Sequence, residues 1–165
     1  MKKKALLTLT MIFLLACNFL FPPQVKSSTN ITTTGYTFVR LHPQDGDLQT
    51  LLADEARKAT GLGQMPVIEF DATWCPPCQA IEEAFGEKNE LMLAAYDGTY
   101  IVKLDVDEWG WENGRIQDFG FTGIPVYFKL DAQGKQTGEV IDGGAWNADI
   151  PENIAPVMDT FFHGQ

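Results

Sequence analysis

Two hydrophobic periods take turns along the chain from position 36 to position 162. "YTFVRL" (36–41) alternates enough to predict a strand. Asp45, Gly46 and Asp47 mark a turn and a helix cap. In the "LQTLLADEARKATG" that follows, Leu48, Leu51, Leu52, Ala56 and Ala59 recur at helical spacing, with Gly61 at the end. "MPVIEFDA" (65–72) is a short apolar run with β-branched and aromatic residues, which predicts a buried strand. After Cys75, Ile81, Ala84 and Phe85 share one helical face, with Gly86 placed to end or bend the helix, and "ELMLAAY" (90–96) predicts more helix. "TYIVKLDVD" (99–107) predicts a strand and "WENGRIQDFG" (111–120) a short helix. "IPVYFKLD" (124–131) and "GEVIDGG" (138–144) predict two strands joined as a hairpin through "AQGKQT". "DIPENIAPVMDTFF" (149–162) predicts a last helix, interrupted at Pro156.

The order β-α-β-α-β-α-β-β-α predicts an α/β fold, a central mixed sheet flanked by helices on both faces. No low-complexity linker divides the chain, so residues 28–165 are read as a single domain.

Residues 1–27 stand outside this pattern. Lys2, Lys3 and Lys4 precede an apolar run from Ala5 to Phe21, and Pro22 and Pro23 follow it. This is the layout of a secretory signal, with Val25 and Ser27 at the −3 and −1 positions of a cleavage after Ser27. A lipoprotein signal is the alternative, with Cys17 in "LLAC" as the lipidated residue, and an uncleaved anchor is a third. All three predict export, to the periplasm or cell envelope, soluble or held at the membrane by the N-terminus.

Cleavage would leave eight cations against 22 carboxylates, a net charge of −14. Such a surface disfavours nucleic acid. It would also leave Cys75 and Cys78 as the only thiols, in a compartment that lets them pair.

"DATWCPPCQA" (71–80) carries the chemistry. With Cys75 at the N-cap of the helix after strand 65–72, Pro76 and Pro77 occupy N1 and N2, where their missing amide hydrogens cost nothing. Cys78 then falls at N3, one turn from Cys75 and within reach of a disulfide. The helix N-terminus stabilises a thiolate at Cys75 and lowers its pKa below the free value of about 8.5. Cys75 is thus the nucleophile and the more shielded Cys78 the residue that resolves a mixed disulfide. Trp74, directly before an exposed thiol, is read as an apolar contact surface. Zinc needs four ligands, and the mature chain offers only these thiols, His42 and His163, so no metal site is assigned. A structural disulfide closing so small a loop would add little stability.

"VIEFDATWCPPC" and "FTGIPVYFKLDAQGK" together resemble the thioredoxin family: a central strand running into W-C-x-x-C, then a cis-proline segment and its hairpin. The resemblance implies a thioredoxin fold and thiol–disulfide oxidoreductase activity without a bound cofactor. It implies that Pro125 is a cis-proline facing the cysteines and that Ile124 offers backbone atoms to a bound peptide. Glu69, six residues before Cys75, matches a buried acid, and Lys103 matches its lysine partner; together they would relay the proton that Cys78 loses. Gly143 and Gly144 of "GGAW" match the loop bordering the substrate groove, so that groove would be formed by Trp74, Pro76, Pro77, Ile124, Pro125, Gly143 and Gly144.

The implied partners are disulfide-containing envelope proteins and a dithiol electron donor, such as a membrane reductase. The sequence departs from the common pattern in its Pro-Pro dipeptide, in Gln79, and in Glu82 and Glu83, whose charges oppose a nearby thiolate. Reduction of protein disulfides is the leading expectation. A disulfide oxidase or isomerase, or a binding or Cu(I)-carrying module on the same fold, stays open.

Overall fold

A computed structural model describes residues 35–111 and 114–164. The leader, with Cys17 and its signal, lies outside these residues.

Five strands form one sheet: β1 (Thr37–Arg40), β2 (Met65–Asp71), β3 (Thr99–Asp105), β4 (Val126–Leu130) and β5 (Gln136–Asp142). Their order is β1-β3-β2-β4-β5. β3 pairs in parallel with both β1 and β2, while β4 is antiparallel to β2 and to β5. β2 and β3 are interior strands covered on both sides, which is why they read as nearly continuous apolar runs.

Alternation along β2 divides the core. Ile68, Phe70 and Ala72 join Leu48, Leu52 and Ala59 of α1 (Leu48–Leu62). Val67 joins Ile81 and Ala84 of α2 (Pro76–Gly86), Met92 and Ala95 of α3 (Glu90–Ala95), and Ile154 and Met158 of α5 (Pro151–His163). The sheet therefore carries helices on both faces. Each fully buried Leu, Ile or Phe in these clusters contributes about 1.5–3 kcal/mol.

Several boundaries differ from the sequence expectation, each for a local reason. α1 runs through Gly61 and stops at Gly63, the residue with φ 70°. There the Gly63 amide donates to Thr60 O and the Gln64 amide to Ala59 O, which closes the end of the helix. β3 ends at Asp105, not 107, because the Asp105 side chain accepts the amides of Asp107 and Glu108 and caps a one-turn helix, α4 (Val106–Trp109). In place of the helix expected over 111–120, the described residues hold a 3-10 turn at Gln117–Phe119.

β4 starts at Val126, after Pro125, which has no amide hydrogen to give the ladder. β5 stops at Asp142, where Gly143–Ala145 turn as a 3-10 segment. α5 passes through Pro156 without a break. Pro156 lies on the exposed side, so Ile154, Ala155, Met158 and Phe162 still reach the core together. Among the described residues no helix is long and apolar enough to cross a membrane.

Candidate active site

β2 delivers the site. Its last residue, Asp71, is followed by a short turn in which the Cys75 amide donates to Ala72 O at 3.1 Å. Cys75 is the N-cap of α2, in extended conformation, with Pro76 and Pro77 in the first two helical positions. The Cys78 amide donates to Cys75 Sγ at 3.3 Å. Gln79 holds the turn from the other side, its side-chain amide donating to Thr73 O and its main-chain amide to Cys75 O. Cys75 and Cys78 are joined as a disulfide, with Cα atoms 5.2 Å apart.

Both cysteines are buried, at 1% and 2% exposure. The expected contrast between an exposed Cys75 and a shielded Cys78 is absent in this oxidised state. Joined to Cys78, Cys75 belongs to the same core cluster as Ile68, Phe70 and Val126. Trp74 is the exposed member, at 54%, and its indole N–H donates to Asp107 Oδ2. Pro76 is exposed and Pro77 half-buried.

The Ile124–Pro125 peptide bond is cis. Ile124 packs on the cluster that contains both cysteines. The Gly143 amide donates to Pro125 O at 2.9 Å, and a Cβ on Gly143 would lie 3.2 Å from Pro125 Cδ. A side chain here would press on the proline ring, so glycine eases the close approach of the loop. Gly144 turns the loop by donating its amide to Asp142 Oδ1.

On the other side of β2 lies an ionic group. Register sets Arg40, Lys103, Glu69 and Tyr127 side by side across β1, β3, β2 and β4. Glu69 is wholly buried, and neither carboxyl oxygen has a hydrogen-bond partner. Lys103 Nζ stands 3.4 Å from Glu69 Oε1, nearer Asp71 Oδ2 at 3.1 Å and Glu82 Oε1 at 2.9 Å. Burial pushes the Glu69 carboxyl above its ordinary pKa, against the pull of Lys103, and Asp71 adds to the rise. Burial opposes the charge on Lys103, but Glu69, Asp71 and Glu82 together outweigh it and raise its pKa.

Arg40 and Asp71 belong to this group and escaped the sequence reading. Arg40 donates twice to Asp71, at 2.6 and 2.7 Å. The available signal was an acid two residues from Glu69, on the same face of a buried strand. Glu82, read as a charge opposing the thiolate, is instead paired with Lys103 and lies 3.6 Å from Arg40. Glu83 is exposed. Among the described residues no group of three or more His, Cys, Asp or Glu side chains is placed to hold a metal.

The Thioredoxin family model matches residues 56–155. Thioredoxin H4 of Arabidopsis thaliana is 31% identical over 110 residues, 66% of this chain and 81% of that protein. The chloroplastic thioredoxin-like protein HCF164 of the same plant is 32% identical over 84 residues, 51% of this chain and 31% of that longer protein. Among solved structures, a reduced thioredoxin pre-protein of Schistosoma mansoni is 28% identical, with 64% of this chain and 85% of that one covered and a TM-score of 0.43. The family match takes in β2, both cysteines, Lys103, Pro125 and the glycine loop. The chain belongs to the thioredoxin family and is a thioredoxin-like thiol–disulfide oxidoreductase whose redox pair is Cys75 and Cys78.

Proposed function

We propose that this protein is an exported reductant of protein disulfides. The observation that carries the reading is the place of Cys75 at the N-cap of α2, its sulfur accepting the Cys78 amide hydrogen. A thiolate there meets the positive end of the helix and a donated hydrogen bond, so it forms near neutral pH.

In the reduced protein the Cys75 thiolate attacks one sulfur of a substrate disulfide. A bond forms between Cys75 and that sulfur, and the second substrate sulfur leaves as a thiolate that takes up a proton. The Cys78 thiol then loses its proton, and the resulting thiolate attacks Cys75 Sγ. This closes the Cys75–Cys78 disulfide and releases the first substrate sulfur as a thiolate, which is protonated in turn. The protein loses two electrons and the Cys78 proton; the substrate gains two electrons and two protons, the second proton coming from solvent. Glu69, with Lys103, receives the Cys78 proton, and its raised pKa suits it to hold one. Substrate backbone docks along Trp74, Ile124 and Pro125, beside Gly143.

The substrates are disulfide-bonded proteins of the cell envelope, and an external dithiol, such as a membrane reductase, restores the reduced pair. The basic, apolar leader supports export.

Dithiothreitol-driven reduction of insulin tests the reading. Wild type should accelerate it and Cys75→Ser should not; a wild type no faster than dithiothreitol alone overturns it. A reduction potential near −120 mV would instead mark an oxidant, since reductants of this class lie near −270 mV. Mass spectrometry of the mature N-terminus together with cell fractionation tests export, which an unprocessed chain confined to the cytosolic fraction would contradict.

A further inference from the structure

The ionic group on the α2 side of β2 does not share its contacts evenly. Lys103 Nζ is closest to Glu82, next to Asp71 and farthest from Glu69. Asp71 is held by both prongs of Arg40. Glu69 alone among the three acids accepts no hydrogen bond.

Two cations here face three carboxylates, so the group becomes neutral when one acid binds a proton. Unbalanced charge away from water is costly, which makes that proton hard to remove. Asp71 is held by a forked guanidinium, among the strongest of carboxylate partners. The Glu82 side chain is 58% exposed to solvent. Glu69 is buried and accepts no hydrogen bond.

We propose that the Arg40–Asp71 pair is a positioning element that draws Lys103 away from Glu69 and so makes Glu69 the proton carrier of the group. With Glu69 and Lys103 alone, the buried pair would settle as carboxylate and ammonium, and Glu69 would have little capacity for a proton. Asp71 takes part of the ammonium's attraction, and Arg40 fixes Asp71 where it does so. The inference deepens the reading that Glu69 receives the proton of Cys78 and rests on it for its use in catalysis.

The groups that face Glu69 are consistent with this assignment. β3 brings Lys103, β4 brings Tyr127, the end of α3 brings Tyr96, and β2 itself brings Asp71, while Arg40 of β1 and Glu82 of α2 lie beyond Lys103. The side chains that α5 adds to this cluster are apolar. Tyr96 donates its hydroxyl hydrogen to the Tyr127 hydroxyl, and burial raises the pKa of both, so each stays neutral.

Beyond Glu69 the group borders solvent. Lys103 bridges Glu69 to Glu82, and Arg40, Asp71 and Glu82 line an open cleft of about 320 Å³ with Thr73 and Gln79. A second cleft of about 340 Å³ reaches Lys103 itself between Phe38 and Phe85.

The test is carboxyl carbon-13 NMR of the full chain, following the titration midpoint of Glu69. In the wild type that midpoint should lie above the usual glutamate value of about 4.3. Asp71→Asn should lower it by about one pH unit or more, as Lys103 turns to Glu69. Asp71→Ser, which also removes the competing carboxylate, should lower it in the same way. A midpoint that stays or rises in Asp71→Asn overturns the inference. If circular dichroism shows Asp71→Asn unfolded, Asp71→Ser decides: a fall supports the inference, and no change or a rise overturns it. The parent reading is scored separately by insulin reduction with Glu69→Gln. Unchanged rates at every pH would defeat the relay, whatever the NMR midpoints do.

Discussion

The indole N–H of Trp74 donates to Asp107 Oδ2 at 2.7 Å, tying the residue before Cys75 to the turn that follows β3. The loops that leave the C-terminal ends of the parallel strands β2 and β3 are thereby fixed to each other at the site. Trp74 keeps 54% of its surface exposed, so its ring face is offered to a partner while its edge is held. Asp107→Ala should free the ring and raise KM for a protein substrate with kcat little changed. One exposed hydrogen bond contributes about 0.5–1.5 kcal/mol, or roughly 2- to 12-fold. Insulin kinetics with the folded variant measure this.

Cys75→Ser should bring insulin reduction to the dithiothreitol background. Cys78→Ser should also stop turnover, yet it keeps the attacking sulfur, so mixed disulfides with substrate should accumulate on non-reducing gels. Both variants should stay folded. In the chain-entropy picture a bridge between residues only three apart adds at most about 2 kcal/mol, so reducing the wild type should move its denaturation midpoint little.

Glu69 carries a pH signature in stability. Its folded pKa is raised above the unfolded value, so below the unfolded value the acid is protonated in both states and burial adds no ionisation cost. As pH rises past the ordinary carboxyl range, the unfolded chain releases the proton first and the fold loses stability. Glu69→Gln cannot titrate. It should therefore melt higher than wild type at neutral pH, by a margin that shrinks as pH falls towards 4. Thermal melts of both proteins from pH 4 to 8 read this directly.

Gly143→Val places carbon where Pro125 Cδ is already 3.2 Å from an added Cβ. The loop must retreat, and the hydrogen bond from the Gly143 amide to Pro125 O lengthens or breaks. Catalytic efficiency on insulin should drop about tenfold or more, the cost of a displaced hydrogen bond and a shifted groove wall. The far-UV spectrum should be unchanged, since Gly143 lies in a 3-10 turn outside every strand and long helix.

What the sequence disclosed and what it hid divide along local and non-local lines. Cys75, Pro76, Pro77 and Cys78 follow from one helix start, where four consecutive residues fix their own geometry. β2 was legible because it is buried on both faces and reads as a nearly continuous apolar run. Gly61 misled because a helix tolerates glycine, and only the positive φ at Gly63 identifies the real stop. The 106–109 turn was hidden because Val106 and Asp107 read on as strand until Asp105 is seen accepting the amides of Asp107 and Glu108. The Arg40–Asp71 pair joins residues 31 apart on strands that are not neighbours, across β3 and its Lys103. No window of the sequence contains both, and only the β1-β3-β2 order brings them together.

Site-resolved alkylation of the reduced full chain tests the reactivity of the pair most directly. Iodoacetamide labelling across pH 5–10, with each cysteine followed by peptide mass spectrometry, gives a rate and a midpoint for both sulfurs. Cys75 should react first, with a midpoint below the free thiol value of about 8.5, and Cys78 should lag at every pH. Faster labelling of Cys78, equal rates, or a Cys75 midpoint at or above the free value would contradict a nucleophile activated at the start of α2.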